Sequence, residues 1–242
     1  MRGKGNKLLE PGAIGSMVLR NRIVMPPMGT SFGGTQGEVS RRLIDYYERR
    51  AMGGAGLIIV ENTLVTPAGK YGLQIVNQLR INDHRYIPGF ARLADSAHRW
   101  GARIAVQINY PAGGIDPNLV PGVVPSTPSP FTMPGLKDPI TTRETSVDDI
   151  RELIEAYGQA ALRVKLAGCD AVEIHCTHGY GIAAFISPLT NSRTDAYGGD
   201  LEGRMRFALE IMERVKACAG SDFPVICRIS AQEFFPGGLS LK

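Results

Sequence analysis

Hydrophobic positions along this chain follow two alternating rhythms, short continuous apolar runs and stretches with helical spacing. Residues 22–25 form a brief apolar run stopped by Pro26 and Pro27, and residues 56–60, 103–109, 170–175 and 224–230 repeat the pattern. Each reads as a strand covered on both faces. Between the first two runs, residues 40–51 have helical spacing, with Ser40 as a helix cap and Gly53-Gly54 as the stop. Residues 88–100 place Phe90, Leu93, Ala94 and Ala97 on one helical face closed by Gly101. Ile150, Leu153, Ile154, Tyr157, Ala161 and Val164 recur at helical spacing as far as Gly168. Ser146 and Asp149 ahead of them resemble a capping box with Asp in place of Glu. A last helix over about residues 201–219 carries Phe207, Ile211, Met212 and Val215 on one face.

Five strands alternating with four helices predict a parallel sheet, either doubly wound or closed into a (β/α)8 TIM barrel. A doubly wound dinucleotide domain calls for Gly-x-Gly-x-x-Gly after its first strand and an acidic residue some twenty positions later. Here the first strand runs into Pro26-Pro27-Met28-Gly29-Thr30 instead. Polar residues then mark the strand ends: Glu61 and Asn62 after the second, Gln107 and Asn109 in the third, His175 and His178 after the fourth, Arg228 in the fifth. Decorating successive strand ends around one face is how barrel enzymes build their sites, so the barrel is preferred. At roughly fifty residues per strand-helix unit, eight strands would need about four hundred residues. The 242 residues present are therefore expected to hold strands one to five, the N-terminal portion of a single barrel domain, with apolar surface open at both edges. Residues 110–145 contain half of the sixteen prolines, which argues against regular structure there and suggests a lid or hairpin excursion over an active site.

Composition narrows the partners. The 43% hydrophobic and 21% charged content is globular. A net charge of +4, from 27 basic and 23 acidic residues without like-charge runs, argues against nucleic acid and anionic membrane. No apolar run reaches about 18 residues and the start lacks a signal-peptide core, so a cytoplasmic protein is expected. Cys169, Cys176, Cys218 and Cys227 form no Cys-x-x-Cys pair, and reduced structural thiols are expected.

The chemistry concentrates in residues 171–180, where an apolar strand delivers His175, His178 and Tyr180 to one patch. Two imidazoles and a phenol suit a site that holds an anionic oxygen while another group attacks the attached carbon. Each has a plainer reading. The histidines, at i and i+3, could bind a metal, although no third ligand stands at a recognised spacing. Tyr180 alone reads as packing, and Gln107 could bond a neighbouring strand. Arg228 in an apolar strand is harder to dismiss, because a buried arginine without an anionic partner is costly. Arg193 and Asp195 are expected to pair within their loop, and Cys176 reads as packing rather than as a nucleophile.

In order and spacing, several segments together resemble the old yellow enzyme family of FMN-dependent oxidoreductases. They are Asn21-Arg-Ile-Val-Met-Pro-Pro-Met28, Gly56-Leu-Ile-Ile-Val-Glu61, Val106-Gln-Ile108, His175-x-x-His178-Gly-Tyr180, Phe185-Ile-Ser-Pro188, Asn191-x-Arg-x-Asp-x-Tyr-Gly-Gly199 and Arg204-x-Arg-Phe207. The resemblance runs from about residue 8 to the end. Its look is that of the branch with 2,4-dienoyl-CoA reductase, enoate reductases and bile-acid flavin reductases.

It implies a flavoprotein ene-reductase in which FMN takes a hydride from NADH or NADPH and passes it to the β-carbon of an enone or enoate. His175 and His178 would hold the carbonyl oxygen and Tyr180 would protonate the α-carbon. Pro26, Pro27, Met28, Gly29, Asn62, Gln107, His175 and Arg228 would contact the flavin, Arg228 near N1 and O2. Amine dehydrogenation on the same barrel is one alternative. A non-catalytic partial barrel, completed by a homo-oligomer or a complementary chain, is another. A longer parent chain could add a 4Fe-4S cluster and FAD. Such barrels grip the cofactor phosphate after strands seven and eight, so residues 1–242 alone are expected to bind FMN poorly. Two departures stand out. Gly29 occupies a position where many members carry a flavin-tuning Thr or Cys, and Gln107-Ile-Asn-Tyr110-Pro-Ala-Gly113 lacks the family's histidine and arginine.

Overall fold

A computed structural model describes residues 7–116, 118–132 and 139–241. A hairpin comes first, β1 Gly12–Ile14 antiparallel to β2 Met17–Leu19, turned at Gly15 with φ 55°. Then follow β3 Val24–Met25, α1 Arg41–Met52, β4 Leu57–Leu64, α2 Ala68–Tyr71, α3 Ile87–His98, β5 Arg103–Asn109, β6 Ser126–Thr127 and β7 Arg143–Glu144. The remainder is α4 Val147–Leu166, β8 Ala171–Cys176, α5 Gly181–Ile186, α6 Leu201–Ala219 and β9 Val225–Ile229. Among the described residues no helix is long and apolar enough to cross a membrane.

The main sheet has the order β3-β4-β5-β8-β9, and every pairing in it is parallel. Each strand lies beside the next one in sequence, so the winding never reverses. A doubly wound sheet needs a reversal point, and its absence selects the barrel, of which five strands are present.

The two faces explain the continuous apolar runs. Ile58, Val60, Ile104, Val106, Val172 and Ile174 point outward into the main core with α1, α3, α4 and α6. Phe90 and Phe207 are fully buried there, and truncating either to alanine should cost about 3–5 kcal/mol. Leu57, Ile59, Ala105 and Ala171 point inward, where Met17 and Leu19 of the hairpin plug the amino-terminal end of the strands.

Helix ends agree closely with the sequence reading. Ser40 Oγ accepts the Leu43 N–H at 3.1 Å, and Ser146 with Asp149 forms the capping box. Three expectations change. The first strand shrinks to two residues, because Pro26 and Pro27 offer no N–H to the ladder. The second extends to Leu64, so Glu61 and Asn62 lie within it rather than after it, and its register with β5 slips between Val60 and Thr63. The proline-rich stretch is not wholly irregular, since β6 pairs with β7 and Thr132 bridges Thr141. Residues 117 and 133–138 of that stretch lie outside the described residues. Arg193 pairs with Asp195 at 2.5 Å, and it also donates to the Pro128 and Thr145 carbonyls, tying the stretch to the loop after β8. The hairpin, α2 and α5 were not foreseen, being too short to show a period. Both sheet edges expose apolar side chains, Val24 on β3 and Ile229 on β9.

Candidate active site

A cavity of about 230 Å³ opens at the carboxyl ends of the strands. This is somewhat below the range for ligand pockets, roughly 300–1,000 Å³. His175, His178, Tyr180, Gln107 and Arg228 line one side, and Pro27, Gly29, Asn62, Gln74, Ile75 and Gln78 line the other. Strand ends and the loop after β3 therefore bring together eight of the ten residues singled out from sequence. Pro26 and Met28 are exposed and outside the lining.

His175 is delivered by the last residues of strand β8, whose neighbours Val172 and Ile174 are apolar, and is buried. Burial, with His178 and Arg228 nearby, lowers its pKa to about 4, so the imidazole is neutral at physiological pH. Its Nδ1 accepts the Thr177 N–H at 3.5 Å, the outer limit of a hydrogen bond, which leaves the proton on Nε2. His178 sits beyond the strand with φ 62°, a left-handed conformation that costs a non-glycine residue energy and clusters at functional sites. Tyr180 starts α5 as its flanking residue. The three rings meet: His175 lies 5.3 Å from His178 and 5.5 Å from Tyr180, centroid to centroid. Tyr180 is seated on a bare backbone, because a Cβ on Gly114 would come within 2.3 Å of its ring.

The floor is polar. Gln107 on β5 faces Glu173 on β8, and its Nε2 donates to Glu173 Oε1 at 2.7 Å. Arg228, on the edge strand β9, is only partly buried, unlike the enclosed arginine expected from sequence. Among the described residues it forms no hydrogen bond or ion pair.

The opposite wall is built from amides. Asn62 Nδ2 donates to Gln74 Oε1 at 2.6 Å, Gln78 Nε2 donates to Asn62 Oδ1 at 3.0 Å, and Asn109 Nδ2 reaches Gln74 Oε1 at 3.1 Å. Gln74 Nε2 and Asn109 Oδ1 are buried without partners, a costly state that a bound polar group would relieve. Behind this wall, Glu61 Oε2 accepts from Thr30 Oγ1 at 2.6 Å and from Tyr47 at 3.3 Å. Burial raises the Glu61 pKa while these donors lower it. The contact fastens the loop of Pro27 and Gly29 to β4. Gly29 leaves room for Ile75, whose Cδ1 would lie 3.0 Å from an added Cβ. An added methyl there would need the Ile75 side chain to shift by a few tenths of an ångström.

Gln74, Ile75 and Gln78 escaped sequence reasoning, as did the buried carboxylate Glu173, while Glu61 was read only as a polar strand end. The one available signal was Gln74-x-x-x-Gln78 inside an apolar stretch. Among the described residues no group of three His, Cys, Asp or Glu is arranged to hold a metal ion.

The lining fits a flat heteroaromatic ring better than a metal or a phosphate. It offers planar amides, one unpaired guanidinium and two unpartnered buried polar atoms. The isoalloxazine of FMN has such an edge. Gln107, Arg228 and Asn62 line the cavity where such an edge could be held, with Pro27 and Gly29 at its rim.

Comparison with known proteins gives one answer. Residues 7–241 match the model of the NADH:flavin oxidoreductase / NADH oxidase family. An NADH oxidase of Thermoanaerobacter brockii is 46% identical over 97% of this chain and 36% of its own length. A cinnamate reductase of Clostridium sporogenes is 35% identical over 97% of this chain and 36% of its own. The structure of 2-naphthoyl-CoA reductase with 2-naphthoyl-CoA superimposes with a TM-score of 0.89 at 30% identity, over 97% of this chain and 37% of that one. The chain thus spans little more than a third of the length of these relatives.

Proposed function

This chain belongs to the NADH:flavin oxidoreductase / NADH oxidase family, and we propose that its protein is an FMN-dependent NAD(P)H oxidoreductase that reduces the C=C bond of α,β-unsaturated carbonyl compounds. The observation that carries this reading is the convergence of a neutral His175 with His178 and Tyr180 over a polar-floored cavity at the strand ends. A cinnamate reductase among the relatives supports the substrate class.

FMN, when bound, supplies the hydride that reaches the β-carbon. The chain's own residues do the rest. The Nε2–H of His175 and the imidazole of His178 donate to the carbonyl oxygen and stabilise the charge that develops on it, a contribution of about 10²- to 10³-fold per donor. Keeping His175 neutral makes it a donor whose strength does not change across physiological pH. The Tyr180 O–H protonates the α-carbon, and the phenolate recovers its proton from solvent, so one hydride and one proton add across the double bond. Gln107 and Arg228 hold the cofactor's polar edge, and the Glu61 anchor keeps Pro27 and Gly29 at the rim.

Replacing Tyr180 by Phe should slow enone reduction by about 10²- to 10⁴-fold and leave flavin reduction by NAD(P)H unchanged. Equal loss in both half-reactions would refute the proton-donor role.

A further inference from the structure

Gln107, Glu173 and Arg228 belong to the inward faces of three successive strands, β5, β8 and β9. Gln107 and Glu173 oppose each other in register, and each is only 3% exposed. We propose that Glu173 is a positioning residue that holds the Gln107 amide with its NH₂ turned away from the pocket and its carbonyl oxygen turned toward it. The floor then presents one acceptor, Gln107 Oε1, beside the donors of Arg228, and selects a ring edge that carries an N–H next to a carbonyl. The inference rests on the flavin reading of the site, since that –NH–CO– edge is the cofactor's.

The polarity follows from hydrogen-bond chemistry. An amide side chain can point either end at a neighbour, and nothing in its shape decides which. An ionised carboxylate has no proton to give, so it accepts only the Nε2–H, here at 2.7 Å. Turning the amide over would set two oxygens against each other between two nearly buried side chains. Among the described residues this is the Gln107 amide's one hydrogen bond, so no other group competes to set it. Burial raises the Glu173 pKa, but the Gln107 amide and the Arg228 charge both draw it back toward the ionised acceptor. Arg228, which has no closer partner, faces the same ring edge with donors alone.

The test compares FMN with 3-methyl-FMN, which lacks the N–H, by equilibrium titration of the protein. The native chain should prefer FMN by about tenfold, the worth of one hydrogen bond of about 1.4 kcal/mol. Glu173→Leu frees the amide to turn, and the preference should fall to about twofold. Glu173→Gln keeps the volume, tolerates both amide orientations and should give an intermediate value, so folding failure of the leucine variant does not end the test. An unchanged tenfold preference in both variants overturns the proposal, as does equal binding of the two flavins by the native chain. A second measurement needs no flavin: the Gln107 side-chain NH₂ protons, followed by NMR, should exchange slowly with water in the native chain and rapidly in Glu173→Leu. If neither flavin binds but this protection is present and depends on Glu173, the cofactor reading fails and the positioning role survives. Unprotected protons in the native chain overturn the positioning role itself.

Discussion

Strand β8 has a charged cluster before one end and the candidate site at the other, and the two are built on opposite rules. Just before its first residue, Asp170 accepts from Arg103 Nη1 at 2.8 Å, from the Ile104 N–H at 2.8 Å and from His98 Nε2 at 2.7 Å, beside a hairpin that seals the barrel interior. Toward the other end, His175 faces a cavity, Arg228 forms no hydrogen bond or ion pair among the described residues, and Gln74 Nε2 and Asn109 Oδ1 are buried unsatisfied. The first arrangement satisfies a partly buried charge from three directions and fastens β5, β8 and α3 together. The second leaves hydrogen-bonding capacity unused inside the protein. Folding alone disfavours such unused groups, and the two on the pocket wall fit a place where a ligand completes the structure.

Breaking each end should therefore hurt a different property. The largest effect belongs to the open end: His175→Leu should lower turnover of an enone by about 10²- to 10³-fold while the melting temperature stays the same or rises, because a buried polar ring is exchanged for an apolar one. A melting temperature lowered by more than the change in turnover explains would make His175 a structural residue. At the closed end, Asp170→Asn removes the charge that three donors share and should cost about 1–3 kcal/mol. For a chain of this length each kcal/mol corresponds to about 2–4 °C in melting temperature, with flavin affinity unaffected. Lost flavin affinity at full folding would mean that the two ends are coupled after all.

The same contrast separates what could be read from the sequence and what could not. The strand bodies were legible because both of their faces are covered, which leaves apolar runs of a length helices do not produce, and the four long helices announced themselves through caps such as Ser40 and Ser146. His175, His178, Tyr180, Gln107 and Arg228 were legible because chemistry at a strand end interrupts an apolar run. Glu173 was not, since one acidic residue within Ala171–Cys176 gives no hint that Gln107 stands opposite. Glu61 and Asn62 were assigned beyond their strand because two polar residues look like its end, whereas a slip of register lets β4 continue past them. The amides of Gln74 and Gln78 come from a segment without period, brought to the pocket wall by contacts across the fold. Parallel pairing followed from the alternation of strands and helices, but strand register and loop placement are non-local, and a single sequence does not state them.

A milder perturbation of the open end tests how closely its parts are fitted. Gly114→Ala adds a methyl group that would meet the Tyr180 ring at 2.3 Å, and neither the backbone angle nor the helices oppose the substitution. The ring must move, so turnover should fall by about tenfold, comparable to about 1.4 kcal/mol of lost transition-state stabilisation, with a smaller change in flavin affinity. Unaltered turnover would show that Tyr180 has freedom to spare and is not held for proton transfer.

The smallest effect is the most direct comparison of the two ends, because each contains a histidine displaced in the opposite direction. Burial lowers the pKa of His175 to about 4, and the Asp170 hydrogen bond raises that of His98. Between about pH 6.5 and 4 the unfolded chain protonates residue 175 while the folded chain does not, so stability falls as the pH falls through that window. His98 has the other sign: its contribution is full below about pH 6.5 and is lost as the pH rises through its elevated folded value. Going from pH 7 to pH 6 therefore weakens the open end and strengthens the closed one, by less than about 1 kcal/mol at the open end. Urea titrations at the two pH values should show His98→Gln losing more stability on acidification than the native protein and His175→Leu losing less or gaining. If both variants follow the native protein, the two histidines do not carry the charge states that distinguish the ends of the barrel.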